Sequence, residues 1–86
     1  MTYTVRLSRE AEKDLLALSR SDQVLFRRIL SAVTSLADDP RSGKPLVGDH
    51  KGEYSLRVGA YRIVYELDHR SRTVFVLTAT HRRHVY

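Results

Sequence analysis

The last six residues, His81-Arg82-Arg83-His84-Val85-Tyr86, place two guanidinium groups, two imidazoles and a phenol side by side. Arginine binds phosphate bidentately and keeps its charge, histidine titrates near pH 6.5 (about its unperturbed value), and tyrosine can stack on a base or exchange a proton if its hydroxyl is tuned. This is a set of side chains able to grip and cut a phosphodiester. In RNA the 2′-hydroxyl supplies the nucleophile, so a protein need only align it, take one proton, give one proton and neutralise the phosphate. His81 and His84 are three apart, but no third ligand accompanies them, so a zinc site is not indicated. Nor is there a Ser-x-x-Lys, Gly-x-Ser-x-Gly or Walker sequence. The expected chemistry therefore calls for neither metal nor cofactor.

Charge is distributed to match. Residues 1–40 carry six basic side chains (Arg6, Arg9, Lys13, Arg20, Arg27, Arg28) against six acidic ones. Residues 41–86 carry nine basic against four acidic, so the whole formal charge of +5 and all four histidines belong to the second half. That asymmetry suggests a polyanionic partner, most simply a nucleic acid, although a basic surface also serves solubility. A chain of 86 residues makes a single domain, residues 1–86, with one modest core. The absence of cysteine fits a reducing cytoplasm. Met1 to Leu7 lacks the apolar stretch of a signal peptide and no run reaches membrane-spanning length, so the expectation is a cytoplasmic protein with no membrane partner.

The elements that must position these groups can be read from periodicity. Tyr3, Val5 and Leu7 alternate with polar residues as in a half-buried strand, and Ser8 stands where a helix N-cap belongs. Ala11, Leu15 and Leu18 then mark a short helix whose other face carries Arg9, Glu10, Lys13 and Asp14. Ser19 to Asp22 breaks it and offers a second N-cap. Phe26, Ile29, Leu30, Val33, Leu36 and Ala37 give a second helix, ended by Asp38-Asp39-Pro40. Residues 40–52 hold both prolines and three of the four glycines and should be the longest irregular connection, with Lys44 and Lys51 as positive ends that suit RNA binding and equally a flexible, solvated linker.

Tyr54, Leu56 and Val58 alternate with Ser55 and Arg57, and Gly59-Ala60 suits a two-residue II′ turn. That turn fixes a register in which Val58 faces Tyr61, Arg57 faces Arg62, Leu56 faces Ile63, Ser55 faces Val64, Tyr54 faces Tyr65 and Glu53 faces Glu66. One face is then apolar and fit to cover the helices. The other sets Arg57 against Arg62, a like-charge pair that costs about a few tenths of a kcal/mol. An anion bound between the two would remove the cost, and two flexible guanidinium groups can also splay into solvent. Glu53 opposite Glu66 could share a proton and act as a base, or each could swing to a nearby cation. Thr73 to Thr80 forms a third strand with Val74 and Val76 on one face and Phe75 and Leu77 on the other. Val64, Phe75 and Leu77 would share the side of Arg57 and Arg62, where a partner chain could cover them.

This succession of elements, with Tyr54-Ser55-Leu56-Arg57-Val58-Gly59-Ala60-Tyr61-Arg62-Ile63-Val64-Tyr65, then Val74-Phe75-Val76-Leu77 and the terminal His81 to Tyr86 motif, resembles the RelE/ParE toxin superfamily, and its RelE branch most. Tyr3-Thr4-Val5-Arg6-Leu7 and Gly43-Lys44-Pro45-Leu46 extend the resemblance over almost the whole chain. The resemblance implies an α+β fold of order β-α-α-β-β-β, a helical hairpin packed on a small, mainly antiparallel four-stranded sheet. It implies the toxin of a type II toxin–antitoxin pair, held by a cognate antitoxin, that cleaves mRNA on the ribosome without a metal. By the same mapping Arg62 and Arg82 would stabilise the pentavalent phosphate, Arg82 would assist the leaving 5′-oxygen, and Tyr86 would stack on a base or handle the 2′-hydroxyl proton. His84, His81 and Glu53 are then candidates for the general base, and Lys44, Lys51, Arg57, His81 and Arg83 for RNA binding. The chain departs from the best-studied branch in carrying Glu53 and Ser55 where that branch has lysines. A ParE-like inhibitor of DNA gyrase, or a toxin fold that only binds, are the alternative functions.

Overall fold

The computed structural model describes residues 2–81. Strand β1 spans Thr4–Leu7, helix α1 Arg9–Ser21, helix α2 Gln23–Ser35, strand β2 Lys44–Pro45, strand β3 Glu53–Val58, strand β4 Tyr61–Asp68 and strand β5 Thr73–His81. The sheet runs β1-β5-β4-β3-β2, antiparallel throughout except for the parallel β1–β5 pair. The four strands expected from the alternation are present. A fifth, β2, adds to them because Lys44 and Pro45 pair with Ser55 and Tyr54, and the Leu46 N–H donates to the Glu53 carbonyl at 2.9 Å. Proline is tolerated there because an outer strand has no neighbour to receive its missing N–H. The connection read as irregular is therefore a hairpin closed by a 3₁₀ turn over Gly48–His50.

Both helix starts form as their cap residues dictate. Ser8 Oγ accepts from the Ala11 N–H at 3.0 Å, and Asp22 Oδ1 accepts from the Leu25 N–H at 3.1 Å. Asp22 also closes α1, its own N–H donating to the Leu18 carbonyl at 2.9 Å, so a single residue makes the bend of the helical hairpin. The buried stripe of α1 is Ala11, Leu15 and Leu18, and that of α2 is Ile29 and Val33, continued by its C-cap Leu36. Leu30, one residue off the α2 stripe, is left exposed. Against these pack Ile63 and Tyr65 of β4 and Val74, Val76 and Ala79 of β5.

The β3–β4 hairpin has the expected register, from Val58 opposite Tyr61 to Glu53 opposite Glu66. Gly59 adopts φ +58°, which glycine tolerates without strain at the first position of a II′ turn. β4 and β5 are less regular: Val64 pairs with Thr78 but Tyr65 pairs with Val76, so Leu77 is a surplus residue, a β-bulge. Helix α1 holds this bulge from the edge that β1 leaves open. Ser8 Oγ donates to the Leu77 carbonyl at 2.6 Å, and Asp14 Oδ2 accepts from the Ala79 N–H at 3.1 Å.

Tyr65 ties the core to the loop after α2. Its ring is fully buried and stacks on Tyr54 with centroids 5.4 Å apart. Its hydroxyl donates to the Pro40 carbonyl at 2.8 Å and accepts from the Gly43 N–H at 3.0 Å. A Cβ on Gly43 would lie 2.6 Å from that hydroxyl and 3.0 Å from the Ser55 carbonyl, so only glycine fits. Burial pushes the phenol above its ordinary 10.0.

Four consequences are measurable by urea unfolding. Tyr65→Phe should cost about 1–3 kcal/mol by stranding the Gly43 N–H and Pro40 carbonyl, and Gly43→Ala about 1–3 kcal/mol by overpacking. Because the folded state keeps the Tyr65 proton at a pH where the unfolded chain releases it, this contribution is complete below pH 10 and is lost as pH rises towards the folded-state value. Tyr65→Phe should therefore flatten part of the alkaline loss; an unchanged profile would contradict the assignment. Asp14→Ala should cost about 1–2 kcal/mol by exposing the Ala79 N–H, with a loss near zero showing that solvent replaces the carboxylate.

Candidate functional site

Side chains alternate along a strand, so burying Ile63 and Tyr65 under the helices turns Arg62 and Val64 to the opposite face. On β5 the same alternation would send Thr78 and Thr80 into the core with Val74 and Val76. The surplus Leu77 reverses the phase: Ala79 takes the core position, and Thr78 and Thr80 join Arg62 and Val64. Together with Leu77 and Glu53 they form the floor of a groove of about 620 Å³. Leu46, Val47 and His50, carried by the β2–β3 hairpin, make one wall, and Glu10 from the first turn of α1 contributes to the other side.

Its lining combines one guanidinium, two carboxylates, an imidazole, two threonine hydroxyls and four aliphatic side chains. Such a surface can hold a phosphate at Arg62, accept or donate hydrogen bonds at Thr78 and Thr80, and place a nucleobase against Leu46, Val47, Val64 and Leu77. Among the described residues Val47 is the most exposed large apolar side chain, at 85% of its full accessible area. Glu53 lies opposite Glu66 in the ladder, but its carboxylate turns to His50, Oε1 to Nδ1 being 3.3 Å. The two carboxylates therefore do not make the proton-sharing pair that their register allows.

The other residues expected from the sequence are dispersed. Arg57 sits directly across the ladder from Arg62 and is exposed, without lining the groove. Lys44 and Lys51 are exposed on the β2–β3 hairpin without lining the groove. His81 lies on the helix side of the sheet, its ring edge-on to Tyr61 at 5.7 Å, beside a smaller depression of about 220 Å³ bounded by Asp14, Leu18 and Ser21. The reason is again the bulge, which moves the odd-numbered residues after Leu77 to the core side. Arg82, Arg83, His84 and Tyr86 lie outside the described residues.

Two titratable groove residues, His50 and Glu10, were not singled out by sequence reasoning. His50 stood in a stretch read as irregular, although its spacing to Glu53, three residues on, was a usable signal for a contact across a tight turn. Glu10 was assigned to a solvated helix face. Phe75, on the same face of the sheet as Val64, borders a small cavity with Arg6, Glu66 and Asp68 rather than the groove. The carboxyl of Asp68 accepts from the Ser71 and Arg70 N–H groups, which hold it below the usual carboxylate range and shape the β4–β5 turn.

Comparison with known proteins places this geometry in a family. The family model described as the ParE toxin of type II toxin–antitoxin systems matches residues 5–86. Toxin RelG of Mycobacterium tuberculosis is 37% identical over 87 residues, covering 100% of this chain and 98% of that protein. Among solved structures, a chain of the toxin–antitoxin complex RelBE2 from Mycobacterium tuberculosis superposes with a TM-score of 0.84 at 32% identity, covering 94% of this chain and 99% of that one. The YoeB/ParE toxin from Agrobacterium tumefaciens shares the fold, with a TM-score of 0.81 at 20% identity over 91% of this chain and 96% of that one. The two helices on a five-stranded mixed sheet are thus the RelE-like arrangement, and the chain belongs to the RelE/ParE superfamily of toxins from type II toxin–antitoxin systems.

Proposed function

We propose that this toxin is an endoribonuclease that cuts mRNA, on the ribosome, by attack of the 2′-hydroxyl on the adjacent phosphate. The observation that carries the reading is Arg62, held by the hairpin register on the floor of a groove with hydroxyl and aliphatic neighbours. A guanidinium fixed there can meet the phosphate through two parallel hydrogen bonds, and charge developing on the phosphoryl oxygens strengthens those bonds in the transition state. The nucleophile comes from the RNA itself, so the protein's part is orientation, proton transfer and charge neutralisation. Arg82 and Tyr86 would complete the site, Arg82 at the phosphate and leaving oxygen and Tyr86 at the base or the 2′-hydroxyl. Similarity to toxin RelG and to the RelBE2 complex supports this reading over gyrase inhibition.

The same similarity supports a cognate antitoxin as the chain's tight partner, since solved relatives such as RelBE2 are toxin–antitoxin complexes. Leu16, Val24 and Leu30 are exposed apolar positions on the helices that such a partner can cover. No described helix is long and apolar enough to cross a membrane.

Induction of the chain alone in a bacterial host should arrest growth and produce new transcript 5′ ends inside translated regions. Arg62→Ala and Arg82→Ala should each reduce cleavage by roughly 100-fold or more, the scale of removing one transition-state donor, and Tyr86→Phe should also lower it while the protein stays folded. Growth arrest without new 5′ ends, accompanied by loss of gyrase supercoiling activity, would replace this function with gyrase inhibition. An absence of both would leave a toxin fold that only binds.

A further inference from the structure

His50 and Glu53 are a pair of titratable groups in direct contact within the groove. His50 Nδ1 lies 3.3 Å from Glu53 Oε1, and both residues line the groove that Arg62 enters. A carboxylate only accepts, so the imidazole nitrogen facing it carries the proton, which leaves the lone pair of a neutral ring on Nε2. The imidazole side chain is 65% exposed and the Glu53 side chain 26%, so the histidine is the member open to a ligand and the glutamate the one behind it. Backbone geometry produces the contact: the 3₁₀ turn Gly48–His50, with Gly48 at φ +70° and Gly52 at φ +97°, folds His50 back over the start of β3.

We propose that His50 is the base that takes the 2′-hydroxyl proton and that Glu53 is its positioning residue; this deepens the ribonuclease reading above and rests on it. The 2′-oxygen forms a bond to phosphorus as its proton passes to His50 Nε2. The bond from phosphorus to the 5′-oxygen breaks, that oxygen takes a proton from solvent water, and the resulting hydroxide returns His50 to its neutral form. The products are a 2′,3′-cyclic phosphate and a 5′-hydroxyl end. Glu53 fixes the tautomer and stabilises the imidazolium formed during the step. The other charged groups around the pair are Arg62 and Glu10 in the groove, Glu66 opposite Glu53 in the ladder, and Asp49 and Lys51 beside His50 in the chain.

The test is single-turnover cleavage of mRNA on programmed ribosomes as a function of pH, using the full chain, with Arg62→Ala as a control outside the pair. His50→Gln should slow cleavage by roughly 100-fold or more and abolish the acid limb of the pH profile. Glu53→Gln should slow it by about 10-fold and move the acid limb to lower pH, because an amide no longer stabilises the imidazolium. Imidazole added to His50→Ala should restore part of the rate. Unchanged rates, or slower rates with the acid limb in place and no response to imidazole, would make the pair merely structural and overturn the proposal. If Arg62→Ala is inactive while both pair variants cleave normally, the ribonuclease reading stands and only this inference falls. A wild-type chain that never cleaves removes both.

Discussion

Strand β4 must serve two faces at once, and everything functional in this chain depends on its phase relative to its neighbours. A slip of one residue would bring Arg62 and Val64 under the helices and turn Ile63 and Tyr65 outward, which no core of this size could absorb. On one side the phase is set locally by Gly59 and Ala60, which turn the chain in two residues. On the other it is set by the surplus Leu77, whose carbonyl is held by Ser8 and whose neighbour Ala79 is held by Asp14. The same helix that covers the core therefore also fixes which β5 residues reach the groove.

Tyr65 connects this constraint to the groove wall. Its hydroxyl secures Pro40 and Gly43, the residues that lead into β2, and β2 in turn starts the hairpin carrying Leu46, Val47 and His50. Core packing and site geometry are thus coupled through a phenol with both hydrogen-bonding roles filled. The groove wall is otherwise light, a hairpin with Lys44 and Pro45 at the sheet edge, residues that discourage pairing with another chain's strand.

Local chemistry made part of this legible in the sequence. Ser8 and Asp22 read as caps because short polar side chains satisfy free helix N–H groups, and the β3–β4 register follows from Gly59-Ala60 and strict alternation. Both helices and the polar face bearing Arg57 and Arg62 were readable on those grounds, whereas family membership was legible only through the resemblance of the hairpin and the terminal motif. What escaped was tertiary. The bulge at Leu77 leaves no mark in the apolar run Val74 to Leu77, so the side of the sheet that His81 takes, against its ladder partner Tyr61, could not be read from the sequence. Lys44 and Pro45 lack the alternation that announces a strand, and β2 exists because Tyr54 and Ser55 offer it an edge. Asp14 and Glu10 looked like ordinary residues of a solvated helix face, and neither could be placed without knowing where β5 ends its pairing with β1. The tail from Arg82 onward stands on the sequence alone.

The proposed ribonuclease chemistry requires the scissile phosphate to sit on the groove floor at Arg62. The most direct measurement is a structure of the toxin on a programmed ribosome with mRNA made uncleavable by 2′-O-methylation. The methylated ribose and its 3′-phosphate should lie in the groove, the phosphate oxygens within hydrogen-bonding distance of the Arg62 guanidinium. RNA bound instead along the outer helix faces, with the groove empty, would contradict that placement.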